Sequence, residues 1–472
     1  MPEAHPVPES TAEAQAQPEA SGGGQRKAGT SREATLNHAL AGAGAGDGRS
    51  LAQLREAAVA AFHASAEPVW RRSGFWTTSL RGLDLDGLRP REYAPDAPLP
   101  GVVSEALAGD STAGLLVQRG STVIHCELDP ELARRGVILC SLEDAAREHP
   151  DLFARYYLRR LTLDRDRLEA ANAAWWAGGA FLYVPPGVVV AQPFQIAYEI
   201  EEAGIAQYAH TLAIGDRGSD FRLREYDLAP DFEGQALHAG ALEVYLEDGA
   251  RCRLAQLSDW GAGEVYDVSK SVVSVGRDAY CHWLPALLGG ALTRQHVELA
   301  VTEPGADMAF RGLFFTEGEE HLDVFAVDLH ETGPSSGDVH WRGAATGASR
   351  ASFEGLIQID PGAQRTHTYL QIHSMMLSAR ARIDAIPSVL VSSDDVSASH
   401  GGTVGELDEA VIFYMQSRGL SRAQAVRVIV EGFFEPLIGQ LEDERLEELV
   451  RERIAAKLAA AAGDIATYAA AR

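Results

Sequence analysis

Lysine is nearly missing from this chain. Of its 472 residues only Lys27, Lys270 and Lys457 are lysine, and none follows a glycine. The phosphate-binding loop G-x-x-x-x-G-K-[ST] is therefore absent. If nucleotide hydrolysis of that kind powers the system, another chain supplies it. A pyridoxal-phosphate enzyme needs a Schiff-base lysine. Lys270 is the one lysine in mid-chain, which argues against a desulfurase. Cysteine is scarce too: Cys126, Cys140, Cys252 and Cys281 stand far apart, with no C-x-x-C pair. Their spacing argues against a local zinc site, a four-thiolate cluster from one segment, and a disulfide scaffold. Reduced core cysteine is the simplest reading. No apolar run is long enough to span a membrane. The first residues, MPEAHPVPES, lack a basic stretch followed by an apolar core, so a secretory signal is not expected and a cytoplasmic location is. Positive charge is also short. Lys and Arg number 41 against 67 Asp and Glu, a net charge of −26. That balance disfavours nucleic acid and anionic membranes as partners.

What is present falls into four stretches. Residues 1–49 are rich in Ala, Gly, Glu, Pro and Ser and carry few large apolar side chains. They cannot bury enough surface to offset ordering, and a disordered tail is expected. The AGAGAGDG run at 41–48 reads as linker. Residues 50–179 are expected to be mainly helical with some short strands. Ser50 and Gln53 fit a capping box, Ser141 fits an N-cap, and Pro150 is expected to end the helix that Ser141 starts.

From Ala180 the texture changes to short alternating segments. In ALEVYLEDGARCRLAQL, Leu242, Val244 and Leu246 point one way, and Glu243, Tyr245 and Glu247 the other. Asp248-Gly249 turns the chain, and Ala250, Cys252 and Leu254 return to the apolar face. Period two is the strand signature. It continues to Val404. A β region this long without helices suits a solenoid of stacked coils, although no hexapeptide or nonapeptide period is visible. Residues 405–472 return to helix. Gly419 suits a C-cap, Ser421 and Gln424 a second capping box, and Pro436 a kink or stop.

The segment DDVSASHGGTVGELDEAVIFYMQSRG, where strands give way to helices, is the most distinctive. Asp394 and Asp395 could ligate a hard cation or accept hydrogen bonds in a turn. His400 precedes two glycines that let a backbone or ligand approach. This segment resembles the C-terminal signature of the SufB/SufD family of iron–sulfur cluster assembly scaffold proteins. The SufD type typically reads D-D-V-x-C-x-H-G-A-T-V-G, then an LD pair and an FY…SRG helix. The chain matches through Asp394, Asp395, Val396, His400, Gly401, Thr403, Val404, Gly405, Leu407, Asp408, Phe413, Tyr414, Ser417, Arg418 and Gly419. ANAAWWAGGAFLYVPPGVVV, the His321-Leu322-Asp323 segment and Ala363-Gln364-x-Thr366 also resemble family segments, in order.

The resemblance implies a mainly β fold: a right-handed parallel β-helix core flanked by N-terminal and C-terminal helical domains. It implies a non-catalytic scaffold that pairs with a SufB-like subunit and docks SufC-like ATPases through Phe413, Tyr414, Arg418, Phe433 and Phe434. It implies no permanent cofactor, only a transient iron or iron–sulfur cluster at the interface, with His400 as the matching metal or assembly residue and Asp394 and Asp395 beside it. A neutral imidazole is an apt iron ligand. The chain also departs from the pattern. Ala398 replaces the family cysteine, Leu390 a glutamate, and Ile372 and Ser374 asparagines. Two rival readings come from the residues alone. A β-helix enzyme acting on carbohydrate would need paired carboxylates such as Asp394 and Asp395. A serine hydrolase would use Gly333-Pro334-Ser335-Ser336-Gly337, which reads better as a turn because no helix pattern follows. His321, His330 and His340 are a conjectural cluster across neighbouring coils. A purely architectural paralogue is the third alternative.

Overall fold

The computed structural model describes residues 51–66, 68–72, 76–109, 111–161 and 167–470. The expected tail at 1–49 and the Ser50 cap lie outside the described residues. Two sheets dominate, one of nine strands and one of ten. From Ala180–Val184 to Val396–Glu406 the chain alternates between them, one strand in each, for about eight coils. Strands of successive coils pair in parallel throughout. The fold is thus a parallel β-solenoid flanked by helices on both sides in sequence. Arg251 pairs with Tyr280, Tyr280 with Asp307, Asp307 with Ser336 and Ser336 with His367. That is a step of about 29 residues per coil, within the range of solenoid repeats. Each coil contains two long strands, which is why no six- or nine-residue period shows.

Local chemistry sets the corners. Gly187, Gly218, Gly249 and Gly305 have φ of 68°, 68°, 68° and 81°, and Asp278 takes the same place with 52°. Their N–H groups donate one coil ahead, to the carbonyls of Arg217, Asp248, Arg277, Pro334 and, from Asp278, Pro304. Left-handed backbone costs glycine nothing, so the turns repeat as a ladder.

Leu242, Val244, Leu246, Ala250, Cys252 and Leu254 all fill the lumen, as their alternation requires. The opposite face differs from a solvated one. Glu243 and Tyr245 are buried beneath the N-terminal helices, among Phe153, Tyr156, Tyr157 and Trp176. Glu243 accepts from the Leu158 N–H at 2.9 Å, faces His210 Nε2 at 3.0 Å and accepts from the Tyr245 hydroxyl at 2.6 Å. Leu158 sits at φ 55°, which a branched side chain adopts only when held. Glu243→Ala leaves three buried polar groups without that acceptor. It is expected to lower the unfolding free energy by about 3–5 kcal/mol, read as a shifted denaturant midpoint, with Glu243→Gln in between.

The helix that Ser141 starts, Leu142–Glu148, ends before Pro150, as expected. Pro150 does not merely follow a helix; it is the first residue of the next one, Pro150–Tyr156, where its missing N–H costs nothing. Pro436 lies inside the helix Arg422–Ile438, which runs two residues past it. The Ser141 cap and the Ser421/Gln424 capping box both form. The helices Arg422–Ile438 and Glu444–Ala460 lie on the outer face of the ten-stranded sheet. Val430, Phe434, Leu437, Leu449 and Ile454 pack there with Tyr226, Leu257, Leu313 and Phe315.

Candidate functional site

Among the described residues, the C-terminal end of the solenoid is built from two strands that are paired on one side only. Arg382–Val391 ends the nine-stranded sheet and Val396–Glu406 ends the ten-stranded one. Each presents an edge of backbone N–H and C=O groups, a ready template for another chain. Apolar side chains flank these rows: Val389, Leu390, Val391, Val404 and, on the neighbouring strand, Tyr369 are all exposed.

His400 lies in the middle of the last strand, exposed, with Leu370 as its register partner. It shares a face with Val396 and Ala398, which pack on the lumen core. Its ring therefore belongs to the inner side of the last coil, where no further coil covers it. Asp394 and Asp395 sit at the bend before this strand, exposed. The Asp395 N–H donates to Gln364 Oε1 at 3.0 Å, and its carbonyl accepts from the Arg365 N–H at 2.5 Å. Five residues of strand, roughly 16 Å, separate Asp395 from His400, so the two aspartates and the histidine are not one ligand set. Leu390 and Ala398, the positions of the missing glutamate and cysteine, flank the same open end.

The residues expected to dock a partner divide. Phe413 is 73% exposed and Tyr414 57%, on the helix Glu409–Ser417. The Arg418 guanidinium stands over the Tyr414 ring at 5.2 Å and donates to its hydroxyl at 3.2 Å. Phe433 is half-buried, with Arg342 over its ring at 5.3 Å. Phe434 corrects the sequence reading. It is fully buried, 6.4 Å from the Phe315 ring, and belongs to the core rather than to a surface.

The serine motif is a turn leading into the strand Ser335–Ala345, with no helix after it. Its surroundings were not foreseen. Ser335 Oγ lies 2.9 Å from His330 Nδ1, and His330 Nε2 lies 3.2 Å from Asp328 Oδ2. All three are buried, and the hydroxyl is shared with Thr366 at 3.0 Å. The set resembles a nucleophile triad, yet it is sealed in the lumen and braces the coil. The conjectured cluster of His321, His330 and His340 does not form. His321 faces Thr78 at 3.3 Å, His330 is inside the solenoid, and His340 stands instead by His373. Among the described residues no three His, Cys, Asp or Glu side chains gather as a metal site. Cys252 and Cys281 are register partners buried in the lumen, and burial pushes the Cys252 thiol up. Lys270 is buried beside Glu169 at 3.3 Å. No helix among the described residues is long and apolar enough to cross a membrane.

The lumen also holds carboxyls that the sequence reading missed. Glu225, Asp227 and Asp267 lie close together beside His238. Glu225 accepts from Thr211 at 2.6 Å, and Asp227 from Gln256 at 3.0 Å and Ser258 at 2.9 Å. Asp267 accepts from Ser269 at 2.5 Å and Gln295 at 3.1 Å. Burial, reinforced for Glu225 and Asp267 by the Asp227 charge, pushes Glu225 up to about 8 and Asp267 to about 7. Burial alone takes Asp227 to about 6 and drives His238 down to about 3. The signal was available: Phe221 and Leu223 point inward, so period two carries Glu225 and Asp227 inward as well.

A family model described as the SufBD core domain of the SUF iron–sulfur cluster assembly system matches residues 198–433. A second, for the SufBD protein N-terminal region, matches residues 117–196. Proteins named iron–sulfur cluster assembly SufBD family proteins from Staphylococcus epidermidis, Staphylococcus haemolyticus and Staphylococcus aureus are similar to the chain. Each is 26% identical over 339 residues, covering 72% of this chain and 73% of the relative.

Proposed function

Because the chain belongs to the SufBD family of iron–sulfur cluster assembly proteins, we propose that it is the SufD-type scaffold of a cytoplasmic Suf complex. In this reading it performs no chemistry of its own. Its open solenoid end pairs with a SufB-like subunit, and its C-terminal helices dock a SufC-like ATPase. Iron or a nascent cluster is cargo held transiently between the two scaffolds. The observation that carries the reading is the open end: two strand edges paired on one side only, flanked by apolar side chains, with His400 on the uncovered inner face. An edge so exposed invites strand addition unless a partner takes it. The missing P-loop supports a division of labour in which ATP is hydrolysed elsewhere. The Asp394-Asp395-Val396 opening supports the SufD type over the SufB type. Ala398 supports a subsidiary role in ligation, with thiolates supplied by the sister subunit. Phe413, Tyr414 and Arg418 form the exposed part of the ATPase-docking surface.

Co-expression with SufB-like and SufC-like subunits tests this. A stable complex is expected. His400→Ala is expected to leave that complex intact and to lower the yield of assembled cluster severalfold, read from its visible absorption. An unchanged yield reduces His400 to structure. A chain that stays monomeric in the presence of both subunits removes the scaffold reading.

A further inference from the structure

Two imidazoles meet on the outer face of the ten-stranded sheet, close to its open end. His340 is on the strand Ser335–Ala345 and His373 on its neighbour Thr366–Met376. The register pairs His340 with Gln371 and Arg342 with His373, so the two histidines are diagonal neighbours. Diagonal side chains on one sheet face are within reach of each other. Their ring centroids are 5.8 Å apart, with planes crossing at 75°. Two imidazoles on one ion, each nitrogen at about 2.1 Å and the angle near tetrahedral, hold their centroids at about 5 Å. The pair is therefore close to a shared-ion spacing before anything binds.

The free nitrogens are the second observation. His340 Nε2 is buried and has no hydrogen-bond partner among the described residues. An orphaned buried nitrogen costs free energy that a ligand would remove. His373 has its Nδ1 2.7 Å from Thr403 Oγ1, on the last strand. In the tautomer whose Nδ1–H donates to that hydroxyl the ring is fixed and Nε2 carries the free lone pair, the arrangement by which proteins orient metal-bound histidine. Burial and the nearby Arg342 charge both favour the neutral, metal-binding form of the two imidazoles. Arg342 donates to the Phe433 carbonyl and stands over its ring. Asp338 is paired with Arg311.

We propose that His340 and His373 form a two-imidazole site for a divalent first-row transition metal, with Thr403 as its positioning residue. Imidazole suits such ions and is a poor ligand for magnesium or calcium. Two protein ligands make a weak, exchangeable site whose other positions take water or a donor from whatever pairs with Val396–Glu406. The site does not rest on the scaffold reading, because His400 belongs to the opposite face of the last strand.

Calorimetric titration of the untagged full chain with nickel(II), in excess magnesium to occupy carboxylates, tests it. One nickel equivalent is expected to bind most tightly. Affinity is expected to fall at least tenfold in His340→Gln and in His373→Gln, and about tenfold in Thr403→Val. His367→Gln, an exposed histidine on the same strand, is expected to bind as the parent does. Thermal melting checks that each variant is folded. As a second readout in the parent chain, substoichiometric nickel should broaden two histidine ring resonances, those absent from the two variants. Nickel bound equally well by both folded variants, or broadening confined to other histidines, overturns the proposal.

Discussion

Phe434→Ala is expected to destabilise the fold by about 3–5 kcal/mol, the usual cost of emptying a phenylalanine-sized site in a packed core. The ring is fully buried between the helix Arg422–Ile438 and the sheet, beside Phe315. Its loss leaves a cavity where the C-terminal helices are held down, and those helices should become the first part of the chain to open. Phe434→Leu, which refills most of the volume, should recover much of the loss. Phe413→Ala makes the contrast. That ring is 73% exposed, and its removal should change stability by less than about 0.5 kcal/mol. The proposed role of Phe413 lies in binding, so its variant should weaken ATPase docking while melting normally. Denaturant midpoints and docking affinity, measured on the same two variants, separate the two kinds of phenylalanine. If Phe434→Ala melts like its parent, the helices are not anchored through this ring.

Raising pH from 6.5 to 8.5 is expected to destabilise the protein, and the lumen carboxyls are the reason. The folded chain holds protons on Glu225 up to about pH 8 and on Asp267 up to about pH 7. Glu199, raised by burial to about 7, adds a third. In the unfolded chain these groups ionise near pH 4. Between the two values the native state binds more protons, so stability drains as pH rises and is lost beyond the folded value. Buried imidazoles act in the opposite direction. Burial, helped at His282 by Arg311, lowers His238 to about 3 and His282 to about 4. Their contribution is present above pH 6.5 and is lost as pH falls through 4 to 3. From 4 to 6.5 the two sets oppose each other. Above 6.5 the raised carboxyls dominate, joined toward 8.5 by the Cys140 and Cys252 thiols, which burial also raises and which act in the same direction. The melting temperature should therefore peak on the acidic side of neutrality and fall by several degrees toward pH 8.5. Glu225→Gln should flatten the alkaline limb while leaving the acid limb in place. A parent profile that is flat or rising from 6.5 to 8.5 would show that the lumen is open to water.

How much of this was legible in the residues depends on the scale of the pattern. Alternation is a two-residue signal, so the inward set of Leu242, Val244, Leu246, Cys252 and Leu254 could be read directly. The coil is a signal of about 29 residues with almost no side-chain identity between repeats, and the turn glycines at 187, 218, 249 and 305 are its clearest trace. What lies outside a strand was not legible, because alternation separates two faces without saying what covers each. Glu243 and Tyr245 could be placed opposite the lumen set, but not under the N-terminal helices that cover them. Phe433 and Phe434 are adjacent in sequence, yet helix geometry turns one toward the rim and the other into the core. His340 and His373 come together only through a register that no local pattern encodes. The open end was legible in part: the motif located His400, while the unpaired edges on either side of it became visible only in the assembled sheets.

Backbone hydrogen exchange along the last coil tests the mating of the two scaffolds most directly. Alone, the edge amides of Arg382–Val391 and Val396–Glu406 should exchange faster than those of the strands beneath them. With a SufB-like subunit bound, those two segments should slow at least tenfold, and Glu409–Ser417 should remain as before until the ATPase is added. A complex that forms while both edges go on exchanging as they do in the free chain would contradict the account.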